Sequence, residues 1–140
     1  MATTFIRFQS AVPNRHGRFP GVFAIANGLA RDGLLSQADS RWHRSANDAG
    51  NAAYADPSTV QLDCYDATVN PGARAWFKDT ALDLLQQTYD YLDLLDRYGV
   101  GWVELRTRTP GRIVYEDEVQ VVAVPFSHAE AWPLLERNAR

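Results

Sequence analysis

The sequence predicts one α+β domain over residues 1–140, a small and mostly antiparallel sheet (a C-terminal hairpin plus an N-terminal strand) packed against three to four helices. Three observations predict it. Two strand-like stretches, GWVELRTR and RIVYEDEVQVVAVP, follow one another across Thr109-Pro110-Gly111, a turn signal that joins neighbouring strands. Near the start, TFIRFQ alternates Thr4, Ile6 and Phe8 with Phe5, Arg7 and Gln9, the period of a strand. Between them, Leu82, Leu85, Tyr89, Leu92 and Leu95 recur at helical spacing, with Leu84, Thr88, Tyr91 and Tyr98 beside them. Strands at both ends and a helix between them suggest a sheet covered by helices.

Taken in order, the first strand leads into the loop AVPNRHGRFPG, and then VFAIANGLARDG places Val22, Phe23, Ile25, Ala26 and Leu29 on one helical face. Pro20 suits the first turn of that helix and Gly33 its C-terminal end. Ser36 is the expected N-cap of a second helix in SQADSRWHRSANDAGNAAY, whose end Gly50 and several Asn weaken. Residues 55–72 read as irregular. ARAWF (73–77) is expected to be a strand, because Thr80 with Asp83 three residues on resembles a capping box and starts the long helix there. Asp83, Gln86, Gln87, Asp90, Asp93 and Arg97 form that helix's solvent face, and Gly99 ends it. The last stretch, SHAEAWPLLERNAR, is expected to form a short helix interrupted at Pro133.

Composition narrows the function classes. An apolar fraction of 46% with 22% charge is that of a globular chain, and a formal net charge of −3 argues against a general nucleic-acid surface. No apolar run approaches the roughly 20 residues that cross a bilayer, and no charged-then-apolar leader opens the chain, so a cytoplasmic protein without a membrane association is expected. Cys64 is the sole cysteine, which leaves no internal disulfide and no multi-cysteine zinc site. His16, His43 and His128 are scattered, with no pair at metal-ligand spacing, so no metal is expected. Neither a P-loop nor a GxGxxG run is present, and no cofactor can be named from the sequence.

Two stretches carry chemistry. In NRHGRFPG, Arg15, His16 and Arg18 stand in a glycine-containing loop before a helix, where free N–H groups and the helix dipole favour a phosphate or carboxylate. In YEDEV, an unbroken strand from Arg112 to Val124 would put Glu116 and Glu118 on one face and Asp117 on the other. Like charges at that spacing raise one pKa and would make an acid and base pair in a closed site. Arg106 or Arg108, across the hairpin, would instead neutralise them as ordinary rim ion pairs. The four tryptophans are read as core volume, though Trp42, Tyr54, Trp76, Phe77, Trp102 and Trp132 could also line a pocket.

The glutamate-x-glutamate of Glu116 and Glu118 resembles the acidic motif of ADP-ribosyltransferases. That resemblance implies that Glu118 would hold the ribose hydroxyl of NAD and stabilise the cationic sugar, Glu116 would aid the acceptor, and the first-strand Arg7 would grip NAD phosphate. The Ser-Thr-Ser strand of that family is absent from the middle of this chain. The leading expectation is therefore a binding domain for a protein partner or a small anionic ligand, contacted by Arg15, His16, Arg18 and Arg7. An enzyme acting on a nucleotide or another phosphate-bearing substrate through Glu116 and Glu118 is the alternative.

Overall fold

A computed structural model describes residues 2–126 and 136–139. Its elements are β1 (Phe5–Ser10), α1 (Val22–Arg31), α2 (Gln37–Ala53), α3 (Pro57–Val60), β2 (Arg74–Lys78), α4 (Leu82–Arg97), β3 (Trp102–Thr107), β4 (Arg112–Glu116), β5 (Gln120–Val124) and β6 (Glu136–Ala139). The strands form one antiparallel sheet in the order β4-β5-β2-β1-β3-β6. This is the α+β class that the strand and helix periods predict.

Alternation along the strands splits the apolar residues between two faces. Ile6, Phe8, Phe77 and Trp102 point to the helices and join Val22, Ala26, Leu84, Tyr91, Leu92, Leu94 and Leu95 in the main core. Phe5, Trp76, Leu105, Val121 and Ala123 form a second buried cluster, and the strand registers put it on the opposite face. The long helix is the anchor: Leu92, Leu94 and Leu95 are fully buried, and each such side chain contributes about 1.5–3 kcal/mol. α1 packs against α4, β1 and α2.

Capping ties α2 to α4. Ser36 is the N-cap of α2 and its hydroxyl accepts from the Asp39 N–H at 3.1 Å. Asp39 in turn accepts from the Tyr98 hydroxyl at 2.7 Å and from Arg97 at 2.8 Å, so its carboxyl is held below its ordinary pKa, chiefly by the Tyr98 bond. Ser36 also donates its N–H to the Tyr98 oxygen at 2.8 Å. The start of one helix is thus pinned to the end of the other.

Several expectations are corrected. Residues 112–124 are two strands, since Asp117 breaks the run: its Oδ1 accepts from the N–H groups of Val119 and Gln120 at 2.9 and 3.0 Å, an Asx-type turn. Among the described residues β4 pairs only with β5, and β3 lies between β1 and β6, so Arg106 and Arg108 are not across from the acids. Arg106 pairs with Glu104 on its own strand, and Glu116 pairs with Lys78 of β2 at 2.6 Å. α4 starts at Leu82 from Ala81, with no capping side chain, so Thr80 does not cap it, and Leu82 is 71% exposed. α1 begins after Pro20, with Gly21 as its N-cap. Residues 136–139 are a strand where a helix was expected, and 127–135, including His128, Trp132 and Pro133, lie outside the described residues.

The turn into β4 depends on Gly111. Its φ is +137°, and a Cβ there would fall 2.0 Å from the Val124 carbonyl oxygen. Gly111→Ala is expected to destabilise the protein by at least about 3 kcal/mol, measured by urea denaturation, with the loss appearing as a lower midpoint at an unchanged slope.

Candidate functional site

The site begins with a fork in the sheet. β1 pairs with β2 only through Phe5 and Ile6. Further along, the place beside β1 is taken by the loop before α1: Gln9 bridges to Gly21, and the Ser10 N–H donates to the Pro20 carbonyl at 2.9 Å. β2 meanwhile stays on β5, from Arg74 with Ala123 to Phe77 with Gln120. The two partners of β1 therefore diverge at Arg7.

Arg7 closes the gap. Its guanidinium donates to the Ala75 carbonyl on β2 at 3.0 Å, to the Phe19 carbonyl in the loop at 3.1 Å, and to Gln9 Oε1 at 2.9 Å. Three of its five N–H donors are thereby occupied. Burial of the guanidinium, reinforced by the nearby charge of Arg74, lowers its pKa to about 10. It still carries full charge at neutral pH. The ion pairs found among the described residues give Arg7 no carboxylate.

Beyond the guanidinium lies a cavity of about 430 Å³, at the small end of the roughly 300–1,000 Å³ usual for ligand sites. Phe23, Phe77 and Leu84 give it apolar walls, and Tyr54, Tyr65 and Pro57 close it on the side of the 54–65 segment. Gly21, Val22, Phe23 and Ala24, the start of α1, also line it. That helix has no capping side chain and no acid in its first turn. Its first-turn N–H groups therefore meet no capping side chain, and its positive dipole end lies at the cavity lining.

The far wall is a polar network. Asn27 Oδ1 accepts from Asn47 Nδ2 at 2.9 Å and lies 3.0 Å from His43 Nε2, which must donate because the amide oxygen can only accept. Tyr91 donates its hydroxyl to Asn47 Oδ1. Burial lowers the His43 pKa and raises that of Tyr91 to about 12. Gln87, expected on the solvent face of α4, instead lines the cavity and donates to the Ala46 carbonyl at 3.2 Å. Gly50 makes this possible, since a Cβ there would stand 3.2 Å from Gln87 Nε2. Glycine inside a helix costs about 1 kcal/mol relative to alanine.

Of the residues singled out from the sequence, Arg7 lies on the cavity, as do Tyr54 and Phe77 of the aromatic set; Arg15, His16, Arg18, Glu116 and Glu118 do not. Arg15, His16 and Arg18 are exposed on a turn built by Asn14, whose side chain accepts the N–H groups of His16 and Arg18 at 2.9 and 3.0 Å. Those donors are spent within the loop, and Gly21 separates it from the helix start. Glu116 and Glu118 are exposed, Glu116 in its ion pair with Lys78 and Glu118 in the β4–β5 turn. Neither carboxylate lines the cavity with Arg7. Asp56, Tyr65, Gln87 and Gln120 complete the wall and were not singled out, because they come from separate elements with no shared spacing. No known protein family, no curated protein and no solved structure matches this chain.

Two outcomes follow from this geometry. Arg7→Gln leaves the Ala75 and Phe19 carbonyls without their charged donor and is expected to cost about 2 kcal/mol, read as a lower denaturation midpoint; Arg7→Lys, with a single point of attachment, loses much of the same. The depressed His43 pKa makes stability fall on acidification: the unfolded chain takes up the proton near pH 6.5 while the folded one does not, so stability is full above 6.5 and declines below it. Urea midpoints measured from pH 7.5 down to pH 5 should show that decline, and His43→Gln should flatten it.

Proposed function

We propose that this domain binds a small organic anion with an apolar body, and that it does so by recognition without chemistry. The reading is carried by one observation: a half-buried, charged guanidinium, with two N–H donors that have no hydrogen bond and with no carboxylate partner among the described residues, lines an apolar-walled cavity. A cation drawn partly out of water is costly unless paired, and a carboxylate or phosphate in the cavity would pair it. The uncapped start of α1 adds donors on the same side. A catalytic use of Glu116 and Glu118 would need both in a concave site beside an arginine, and they stand outside this one.

No helix among the described residues is long and apolar enough to cross a membrane. A cytoplasmic setting with no disulfide chemistry belongs to the same proposal. A protein partner is the second reading, favoured by Val60, Leu62 and Val69, which are exposed in one stretch beside the cavity.

Thermal shift with 3-phenylpropanoate, phenyl phosphate and inorganic phosphate, against the neutral 3-phenylpropanamide, separates these readings. A ligand at 100 times its dissociation constant adds about 2.7 kcal/mol, which moves a melting temperature by several degrees. The organic anions should do so, the amide should not, and Arg7→Gln should abolish the response. No shift with any anion, or an equal shift with the neutral amide, overturns the proposal.

A further inference from the structure

The cavity is lined by groups of opposite chemistry. The donors are the two N–H groups of Arg7 that have no hydrogen bond among the described residues and the first turn of α1. The others are acceptors. Asp56 lines the cavity at its exposed edge and spends Oδ1 on the Ser58 N–H and hydroxyl, at 3.0 and 2.8 Å, which leaves Oδ2 without a hydrogen bond among the described residues. Gln120 donates its amide nitrogen to the Ala55 carbonyl at 3.0 Å and to Asp117 at 3.3 Å, and Gln87 donates its own to Ala46, which leaves the carbonyl oxygens of these two lining residues without a hydrogen bond among the described residues. Tyr65 also lines the cavity. Arg7 and Asp56 nevertheless form no ion pair with each other.

Such a wall pattern asks for a ligand whose own ends are reversed. Building on the anion-binding reading, we infer that the ligand is a zwitterion, an α-amino acid or short peptide with an apolar side chain: its carboxylate meets Arg7 and the start of α1, and its ammonium meets Asp56 with the carbonyl oxygens of Gln120 and Gln87. An ammonium has three donors and no acceptor, so a side lined by a carboxylate and amide oxygens suits it. Phe23, Phe77 and Leu84 receive the side chain. The cavity's small volume agrees with a ligand of this size.

Isothermal titration with three probes of one shape tests this: L-phenylalanine, L-phenylalaninamide without the carboxylate, and 3-phenylpropanoate without the ammonium. L-Phenylalanine should bind at least about tenfold more tightly than either. Asp56→Asn keeps an N-cap of equal quality for α3, and circular dichroism checks its fold. That variant should bring L-phenylalanine to within about threefold of 3-phenylpropanoate, whose own binding should not weaken. If 3-phenylpropanoate matches L-phenylalanine on the unaltered protein, or Asp56→Asn leaves their ratio intact, the zwitterion inference fails and the anion reading stands. If no probe bearing a carboxylate binds, both fail.

Discussion

The guanidinium of Arg7 is the constraint on which the rest of this structure turns. A sheet whose first strand loses its partner halfway must satisfy the carbonyls on both sides of the split. Arg7 does this with one planar group, reaching Ala75 on β2 and Phe19 in the loop. A lysine could not, because its ammonium is a single point on a flexible stem. The fork in turn lets the loop through Gly21 lie beside β1, and so sets where α1 begins. Cavity, helix start and cation share one origin.

The walls show where local stability is given up. Gly50 sits inside α2, where alanine would favour the helix, and the space it leaves is filled by the amide of Gln87 from α4. α1 starts with no side chain to cap it, although Ser36 and Asp56 show that this chain caps α2 and α3 with side chains. Both departures face the cavity. The polar cluster of Asn27, His43, Asn47 and Tyr91 is, by contrast, bonded within itself, and these bonds fix that wall.

The helices and strands were legible because each carries a period. The 3.6-residue recurrence in α4 and the alternation in β1 survive in the structure, as do Ser36 as a cap and the strand expected over 73–77, which is found at Arg74–Lys78. What was hidden depends on long-range pairing. Strand periods cannot tell that β4 neighbours β5 alone, and so they put Arg106 and Arg108 opposite the acids when Lys78, 38 positions before Glu116, is the actual partner. A glycine-bearing basic loop before a helix signals an anion site only if its N–H groups are free, and Asn14 consumes those of His16 and Arg18. Arg7 was visible as a first-strand arginine, but nothing in the sequence marks the fork that gives it its role. Gln87 looked solvent-facing because the periodicity of α4 says nothing of Gly50 opposite.

The acidic run of residues 116–118 shows how three neighbouring charges take three duties. Glu116 answers Lys78 across two strands, and Glu118 meets solvent. Asp117 does the most, since it caps the turn with Oδ1 and accepts from the Tyr115 hydroxyl and the Gln120 amide with Oδ2. These bonds hold its carboxyl below its ordinary pKa against the effect of burial. Gln120 passes the constraint inward, because the same amide nitrogen also reaches the Ala55 carbonyl, just ahead of Asp56. The turn that breaks the apolar strand therefore orients a side chain of the cavity wall. A charge that a continuous strand would have no reason to carry is required by the turn, and the turn fixes the end of the cavity where Asp56 stands.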